Sequence, residues 1–296
     1  MRLPLFVCAL LAAVPALASV PVPDHQGRRL VEVEVDAHGS FPFLIDTAAS
    51  HTVLYRRFVG EVGLNSIPGR STRVITATGT REMGFYRIGS VTALGRVLPV
   101  GETIAMPDAS GGQDAPYGII GVDFLVGHVL VVTAAEVRLV RAEDFIPEAD
   151  EAIEWHRIRG RAVGRGSVAT DVTVAGLTMP AIIDTGAAVT VINRRAADRL
   201  RESHTGAVEF RTSSLSAAAG RMRAETLEVE RITLGDMTLR DRDILASNLP
   251  VFATYGAAQV PAMILGADIL FSQPVAIDFA SFDLYLGTKK PVTAGE

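Results

Sequence analysis

Apolar and polar residues alternate along much of the chain, as from Val137 to Val140 and from Phe282 to Leu286. Side chains of a strand point to opposite faces in turn, so this period predicts strands with one buried face. Four shorter runs are apolar at consecutive positions: Phe43 to Ile45, Thr52 to Leu54, Ala181 to Ile183 and Thr190 to Ile192. They predict strands buried on both faces. Val, Ile, Ala and Thr are abundant while Trp and Tyr are scarce, which favours the same mainly β class. Two hairpins are predicted at Thr76-Ala77-Thr78-Gly79-Thr80 and Ala217-Ala218-Ala219-Gly220-Arg221, each with Gly at a turn position.

Two longer apolar stretches need a separate reading. Arg2 precedes a run from Leu3 to Leu17 that ends in Ala16-Leu17-Ala18-Ser19, which reads as a secretory signal peptide cleaved after Ala18. The run contains Pro15 and is shorter than the roughly 20 residues that span a bilayer. Cys8, the only cysteine, falls inside it, so the mature chain has neither disulfides nor thiol chemistry. Phe6 and Val7 are too large to precede a lipoprotein cleavage site at Cys8. The expected product is exported, periplasmic or secreted, with no stable membrane span once the signal is removed. The second stretch, Gly118 to Ala135, is interrupted by Asp123 and His128 and predicts a buried strand and helix.

Composition narrows the partners. With 296 residues, 48% apolar and 21% charged, the chain is ordinarily globular with room for two modest domains. A net charge of -5 gives no footprint for nucleic acid or anionic lipid.

An internal repeat decides the architecture. Pro42 to Arg57 aligns without a gap on Pro180 to Arg195 at an offset of 184 − 46 = 138, and 9 of the 16 positions are identical. Further on, Ile119-Ile120-Gly121-Val122-Asp123 aligns with Ile264-Leu265-Gly266-Ala267-Asp268. The boundaries that follow are a signal peptide at 1–18, an N-terminal lobe at 19–142, an acidic linker at 143–156 around Pro147, a C-terminal lobe at 157–290 and a tail at 291–296.

In each copy an apolar strand runs into Asp-Thr-small-small, presenting a carboxylate at a tight turn between buried strands: Asp46-Thr47-Ala48-Ala49 and Asp184-Thr185-Gly186-Ala187. These motifs, with the later Ile119-Ile120-Gly121 and Ile264-Leu265-Gly266, resemble the aspartic proteases, and the retropepsin-like branch more than the pepsin branch. Ala49 and Ala187 are similar to the retroviral form of the motif. The resemblance implies two homologous β-barrel lobes with short helices, related by a pseudo-two-fold axis, in the single-chain bacterial form. It implies Asp46 and Asp184 as the catalytic pair, with Thr47 and Thr185 bracing the loops and Ala48 and Gly186 supporting them. It further implies β-hairpin flaps over the substrate, here carrying Thr78, Gly79, Ala219 and Gly220, with Tyr86 in the first return strand. The expected activity is endopeptidase hydrolysis of extended peptide or protein substrates by a monomer that requires no cofactor and no metal.

Two carboxylates about 3 Å apart share one proton, so one can activate water while the other protonates the scissile carbonyl. Ala48 departs from the family's Gly. The alternative reading is a catalytically inactive peptide-binding or scaffold module of the cell envelope that keeps the same cleft. Asp123 and Asp268 are expected to cap short helices, and Asp278 to end a strand. The six histidines contain no HExxH pair, Ser50 and His51 beside Asp46 lack a Gly-x-Ser-x-Gly context, and Ser110-Gly111-Gly112 lacks a P-loop Lys.

Overall fold

The computed structural model describes residues 22–24, 26–76, 79–109, 112–203, 208–217 and 220–290. The expected signal peptide and tail lie outside these residues. Eight strands build the first lobe: β1 (Val22–Pro23), β2 (Arg29–Val35), β3 (Ser40–Ile45), β4 (Val53–Tyr55), β5 (Ser66–Thr76), β6 (Gly79–Ala93), β7 (Arg96–Met106) and β8 (Gly118–Ile120). They follow the order β1-β2-β3-β8-β4-β7-β6-β5, and a further pairing of β2 with β6 curls the sheet towards a barrel.

The chain then passes through β9 (His128–Val132), β10 (Val137–Arg141) and β11 (Ile153–Ile158) into a second lobe. That lobe contains β12 (Gly160–Val163), β13 (Ser167–Val174), β14 (Leu177–Ile183), β15 (Val191–Ile192), β16 (Val208–Ala217), β17 (Gly220–Leu234), β18 (Met237–Ala246) and β19 (Met263–Leu265). Its order, β12-β13-β14-β19-β15-β18-β17-β16 with β13 also on β17, repeats the first lobe strand for strand. The duplication read from sixteen residues thus extends to the whole topology.

A third sheet joins the halves. β20 (Val275–Asp278) and β21 (Leu284–Lys289) combine with the earlier strands in the order β10-β9-β20-β21-β11. β9 pairs with β20, so each half contributes a hairpin to either side of that contact. The expected alternating strand from Phe282 begins instead at Leu284, because Phe282 lies at φ 62 in the turn before it. In the acidic segment 143–156, two 3-10 turns (Ala142–Asp144 and Pro147–Ala149) are followed by β11, which pairs Ile153 with Lys289 and Ile158 with Leu284. Ile153 and Trp155 lie two residues apart on one face of β11 with Glu154 exposed between them, and Ile158 is buried on the other face.

The stretch Gly118 to Ala135 forms β8, a short helix (Val122–Leu125) and β9, and is largely buried. Among the described residues no helix is long and apolar enough to cross a membrane. One apolar core runs from Val33, Phe43 and Phe58 through Leu130 and Val275 to Ile183 and Leu227. The three-residue runs before each aspartate are fully buried, because β3 lies parallel to β8 and β14 parallel to β19 in the interior of each lobe.

Candidate active site

Asp46 and Asp184 follow the last residues of β3 and β14, where the chain leaves the sheet. Their backbone N–H groups still donate to the neighbouring strand, Asp46 to the Ile120 carbonyl and Asp184 to that of Leu265, both at 3.0 Å. Each loop then folds back on its own carboxylate. Ala48 N–H and Ala49 N–H donate to Asp46 Oδ1 at 2.9 Å, and Gly186 N–H and Ala187 N–H donate to Asp184 Oδ1 at the same distance. The second oxygen of each carboxylate is left outside these bonds.

The threonines bring the loops together. Thr47 Oγ1 donates to the Ile183 carbonyl and Thr185 Oγ1 to that of Ile45, each at 2.7 Å. In return, each hydroxyl accepts the other's backbone N–H, Thr47 N–H at 3.2 Å and Thr185 N–H at 3.1 Å. Both threonines are buried, so these four bonds are made away from water, where an unpaired group would be expensive. The reciprocity expresses the pseudo-two-fold relation at atomic scale. It leaves the two half-buried carboxyl groups within hydrogen-bonding reach of each other.

Burial raises the pKa of Asp46, opposed by the N–H groups of Ala48 and Ala49, by Arg28 and by its bond with Asp184. Burial likewise raises Asp184, and the adjacent charge of Asp46 pushes it further, to about 8. The extra proton belongs to the pair rather than to one residue. An ionised and a protonated carboxyl, held side by side in a partly desolvated loop pair, can act together as base and acid.

The Ala48 departure leaves the cradle undisturbed, since its N–H bonds the carboxylate at the same 2.9 Å as that of Gly186. The equivalent glycine has no such latitude. A Cβ built on Gly186 would lie 2.4 Å from Asp46 Cγ and 2.5 Å from its Oδ2. The apolar-apolar-Gly elements also need their glycines: a Cβ at Gly121 would meet the His51 carbonyl carbon at 2.4 Å, and one at Gly266 that of Val189 at 2.7 Å. There the strand passes beside the aspartate loop, and Val122 N–H bonds Ala49 O as Ala267 N–H bonds Ala187 O, at 2.8 Å in both lobes.

The expected capping role of Asp123 and Asp268 does not hold: the N-cap positions are Gly121 and Gly266, without a side-chain cap bond, and the aspartates lie inside the first turn of each helix. Each accepts the N–H of the next helical residue, Phe124 or Ile269, at 2.9 Å. Each also binds a threonine of the opposite limb: Thr52 N–H and Oγ1 donate to Asp123 Oδ1 at 2.8 Å, and Thr190 does the same to Asp268 at 3.0 and 2.7 Å. Those threonine hydroxyls in turn accept Gly121 N–H and Gly266 N–H. Thr52 and Thr190 recur in the sequence repeat, which was the available signal for this network. Asp278 ends β20, accepting from Ala280 N–H and Ser281 N–H in the turn.

The expected flaps are the hairpins β5–β6 and β16–β17, closed by the pairs Thr76 with Gly79 and Ala217 with Gly220. Gly79 takes φ 142, which a side chain resists. Thr78 and Ala219 lie outside the described residues. Tyr86 sits in β6 and packs on the main core. A cavity of about 440 Å³ beside the first hairpin is lined by Arg56, Thr80, Arg81, Glu82, Met83 and Pro107, and does not include the aspartates. Ser50 and His51 bond each other at 2.8 Å on the exposed side of their loop. Among the described residues, no group of three or more His, Cys, Asp or Glu side chains is placed to hold a metal ion.

Residues without a motif also reach the loops. Arg28, paired with buried Asp24, donates to the Gly186 carbonyl at 3.2 Å, and the Tyr255 hydroxyl donates to the Ala48 carbonyl at 2.8 Å. Neither contact has a signal in local spacing, since each links segments from different lobes.

Two barrel lobes that pool one Asp-Thr loop each define a two-lobed aspartic-protease architecture. The family model described as aspartyl protease matches residues 31–124 and 170–269, and the chain belongs to this family as a retropepsin-like, two-lobed member. A comparison with curated proteins finds no match. Membership carries a protease-type function in general and, with it, peptide substrates.

Proposed function

We propose that the protein is an aspartic endopeptidase that hydrolyses extended polypeptide segments with water activated between Asp46 and Asp184. The observation that carries this reading is the reciprocal threonine bonding, which holds the two carboxyl groups within hydrogen-bonding reach. The ionised member takes a proton from water, the oxygen of which attacks the scissile carbonyl carbon. The protonated member gives its proton to the carbonyl oxygen. The resulting tetrahedral diol collapses as a proton passes to the leaving amine, and no bond to the protein forms. The hairpins β5–β6 and β16–β17 act as flaps holding the substrate extended.

The intact Ala48 cradle favours activity over a binding-only role, because the departure from Gly changes neither hydrogen bond to Asp46. One chain supplies both carboxylates, so the working unit is a monomer. The apolar run from Leu3 to Leu17 supports export, with cleavage after Ala18 giving a periplasmic or secreted protein. The test is cleavage of a mixed peptide library by wild type and by Asp184→Asn. Turnover should fall by about a hundredfold to ten-thousandfold in the variant. Full activity in Asp184→Asn would remove this mechanism.

A further inference from the structure

The carbonyls of Ala48 and Gly186 are equivalent in the repeat (186 − 48 = 138), and each accepts a side chain from the opposite lobe. Arg28, in the turn before β2 of the first lobe, donates through Nη1 to Gly186 O at 3.2 Å. Tyr255, at the end of the 3-10 turn Pro250–Tyr255 of the second lobe, donates through its hydroxyl to Ala48 O at 2.8 Å. The two contacts cross the lobe boundary in opposite directions, at the residue after each Asp-Thr pair. We propose that Arg28 and Tyr255 are positioning residues for the dyad, each fixing the aspartate loop of the opposite lobe. This rests on the aspartic-protease reading of Asp46 and Asp184.

Arg28 is built for such a role. Its Nε and Nη2 grip Asp24 Oδ2 at 2.7 and 2.6 Å, and Asp24 Oδ1 accepts Gln26 N–H and Arg28 N–H at 2.9 Å. Both residues are buried, so the guanidinium is pre-set rather than free to swing. Asp24 occupies the charged end of the fork, and Nη1 is left for the carbonyl. Nothing within β2 needs a buried ion pair at this place, and such a pair is weak evidence of added stability. Its orientation towards Gly186 supplies a reason for it. Tyr255 is half-buried, and a Cβ on Gly164 would meet its ring at 3.1 Å, so a glycine lies where the ring passes.

The two clamps differ in charge, which makes the loops inequivalent. The Arg28 cation favours the ionised form of both aspartates. Tyr255 is neutral, because burial and then the charges of Asp184 and Asp46 push its hydroxyl pKa up. Tyr55, at the end of β4, is pushed up by burial and by Asp46, with Asp108 and Asp24 adding to the same effect. Among the described residues Arg28 is a cation acting on both carboxylates, while Asp24 and Asp108 act on the neighbouring Tyr55.

The test compares wild type with Tyr255→Phe, Arg28→Lys and the double variant Asp24→Asn/Arg28→Gln, which avoids stranding a buried charge. Peptide turnover is followed from pH 3 to 9, alongside thermal melting and a carboxyl-carbon NMR titration of the two aspartates. Tyr255→Phe should lower kcat by about tenfold to a hundredfold with KM nearly unchanged and the pH profile in place. Arg28→Lys should lose kcat but keep the alkaline limb, since the charge stays while the fork is lost. The double variant should lose kcat and also move the alkaline limb and the NMR titration to higher pH. If kcat, pH limb and titration all stay at wild-type values in folded variants, or if kcat falls only in parallel with the folded fraction, the positioning roles are refuted. A wild type that cleaves nothing would overturn the protease reading alone. The NMR arm then decides for Arg28: a titration moved to higher pH in the double variant supports its placement, and an unmoved one refutes it.

Discussion

Ala48 and Gly186 occupy equivalent places, but only one of them tolerates a methyl group. The Asp46 carboxylate lies against Gly186, where a Cβ would come within 2.4 Å of Cγ. Asp46 Oδ1 is already held by the N–H groups of Ala48 and Ala49, so the carboxylate can retreat only by giving up that cradle. Gly186→Ala should therefore cut kcat by about a hundredfold, the scale of a 1 Å misplacement, with little change in KM. Ala48→Gly should stay within a few-fold of wild type in the same assay. Equal losses in the two variants would mean that the asymmetry has no catalytic consequence. The departure visible in the sequence at residue 48 thus falls on the loop that can absorb it. The paired motifs, their threonines and the glycine of each later strand were all legible from the repeat. Which copy could accept alanine was not, because it depends on the lean of a carboxylate across the lobe boundary.

At the scale of elements, the crossing of each aspartate loop with β8 or β19 depends on one buried threonine. Thr190 Oγ1 donates to Asp268 and accepts Gly266 N–H at 3.0 Å, and Thr52 makes the same two links to Asp123 and Gly121. Replacing either threonine by the isosteric valine leaves a glycine N–H without its acceptor in the interior. Each of Thr52→Val and Thr190→Val should destabilise the protein by about 1–3 kcal/mol in urea unfolding. A change below about 0.5 kcal/mol would show that the crossing is held by backbone bonds alone. The sequence pointed to Asp123 and Asp268 as helix caps, whereas Gly121 and Gly266 hold those positions and each aspartate accepts the N–H of the residue after it in the first turn. Their second bonds reach threonines 71 and 78 residues away, a separation at which neither periodicity nor capping rules carry information. β11 is hidden in the sequence for a different reason: acidic residues crowd 143–156, and only Ile153 and Trp155 share the strand period, with Ile158 on the opposite face.

For the molecule as a whole, stability is bounded on its acid and alkaline sides by carboxylates of opposite character. Asp283 stands where the central sheet meets the second lobe. Burial alone would raise its pKa, but Gly160 N–H, Arg157 and the Ser281 hydroxyl together hold it below the usual carboxylate range. A depressed pKa contributes stability that is present above the unfolded value near 4 and is lost as pH falls through the folded value. The dyad has the reverse sign. Asp184, raised to about 8, binds a proton more tightly folded than unfolded, so its contribution is intact below about pH 4 and is lost as pH rises towards 8. Melting temperature should therefore peak in mildly acid solution. Asp184→Asn removes the alkaline penalty, so its melting temperature should match wild type near pH 4 and exceed it increasingly up to pH 8. Asp283→Asn should leave the alkaline limb alone and lower stability at pH 6 and above, with the deficit shrinking as pH falls below 4. Melting curves of the three proteins from pH 3 to 9 separate these limbs. A constant offset between Asp184→Asn and wild type across that range would show that the dyad's shared proton is not drawn from the folding equilibrium. In that case the raised pKa, and the neutral-range alkaline limb it implies for turnover, would both have to be abandoned.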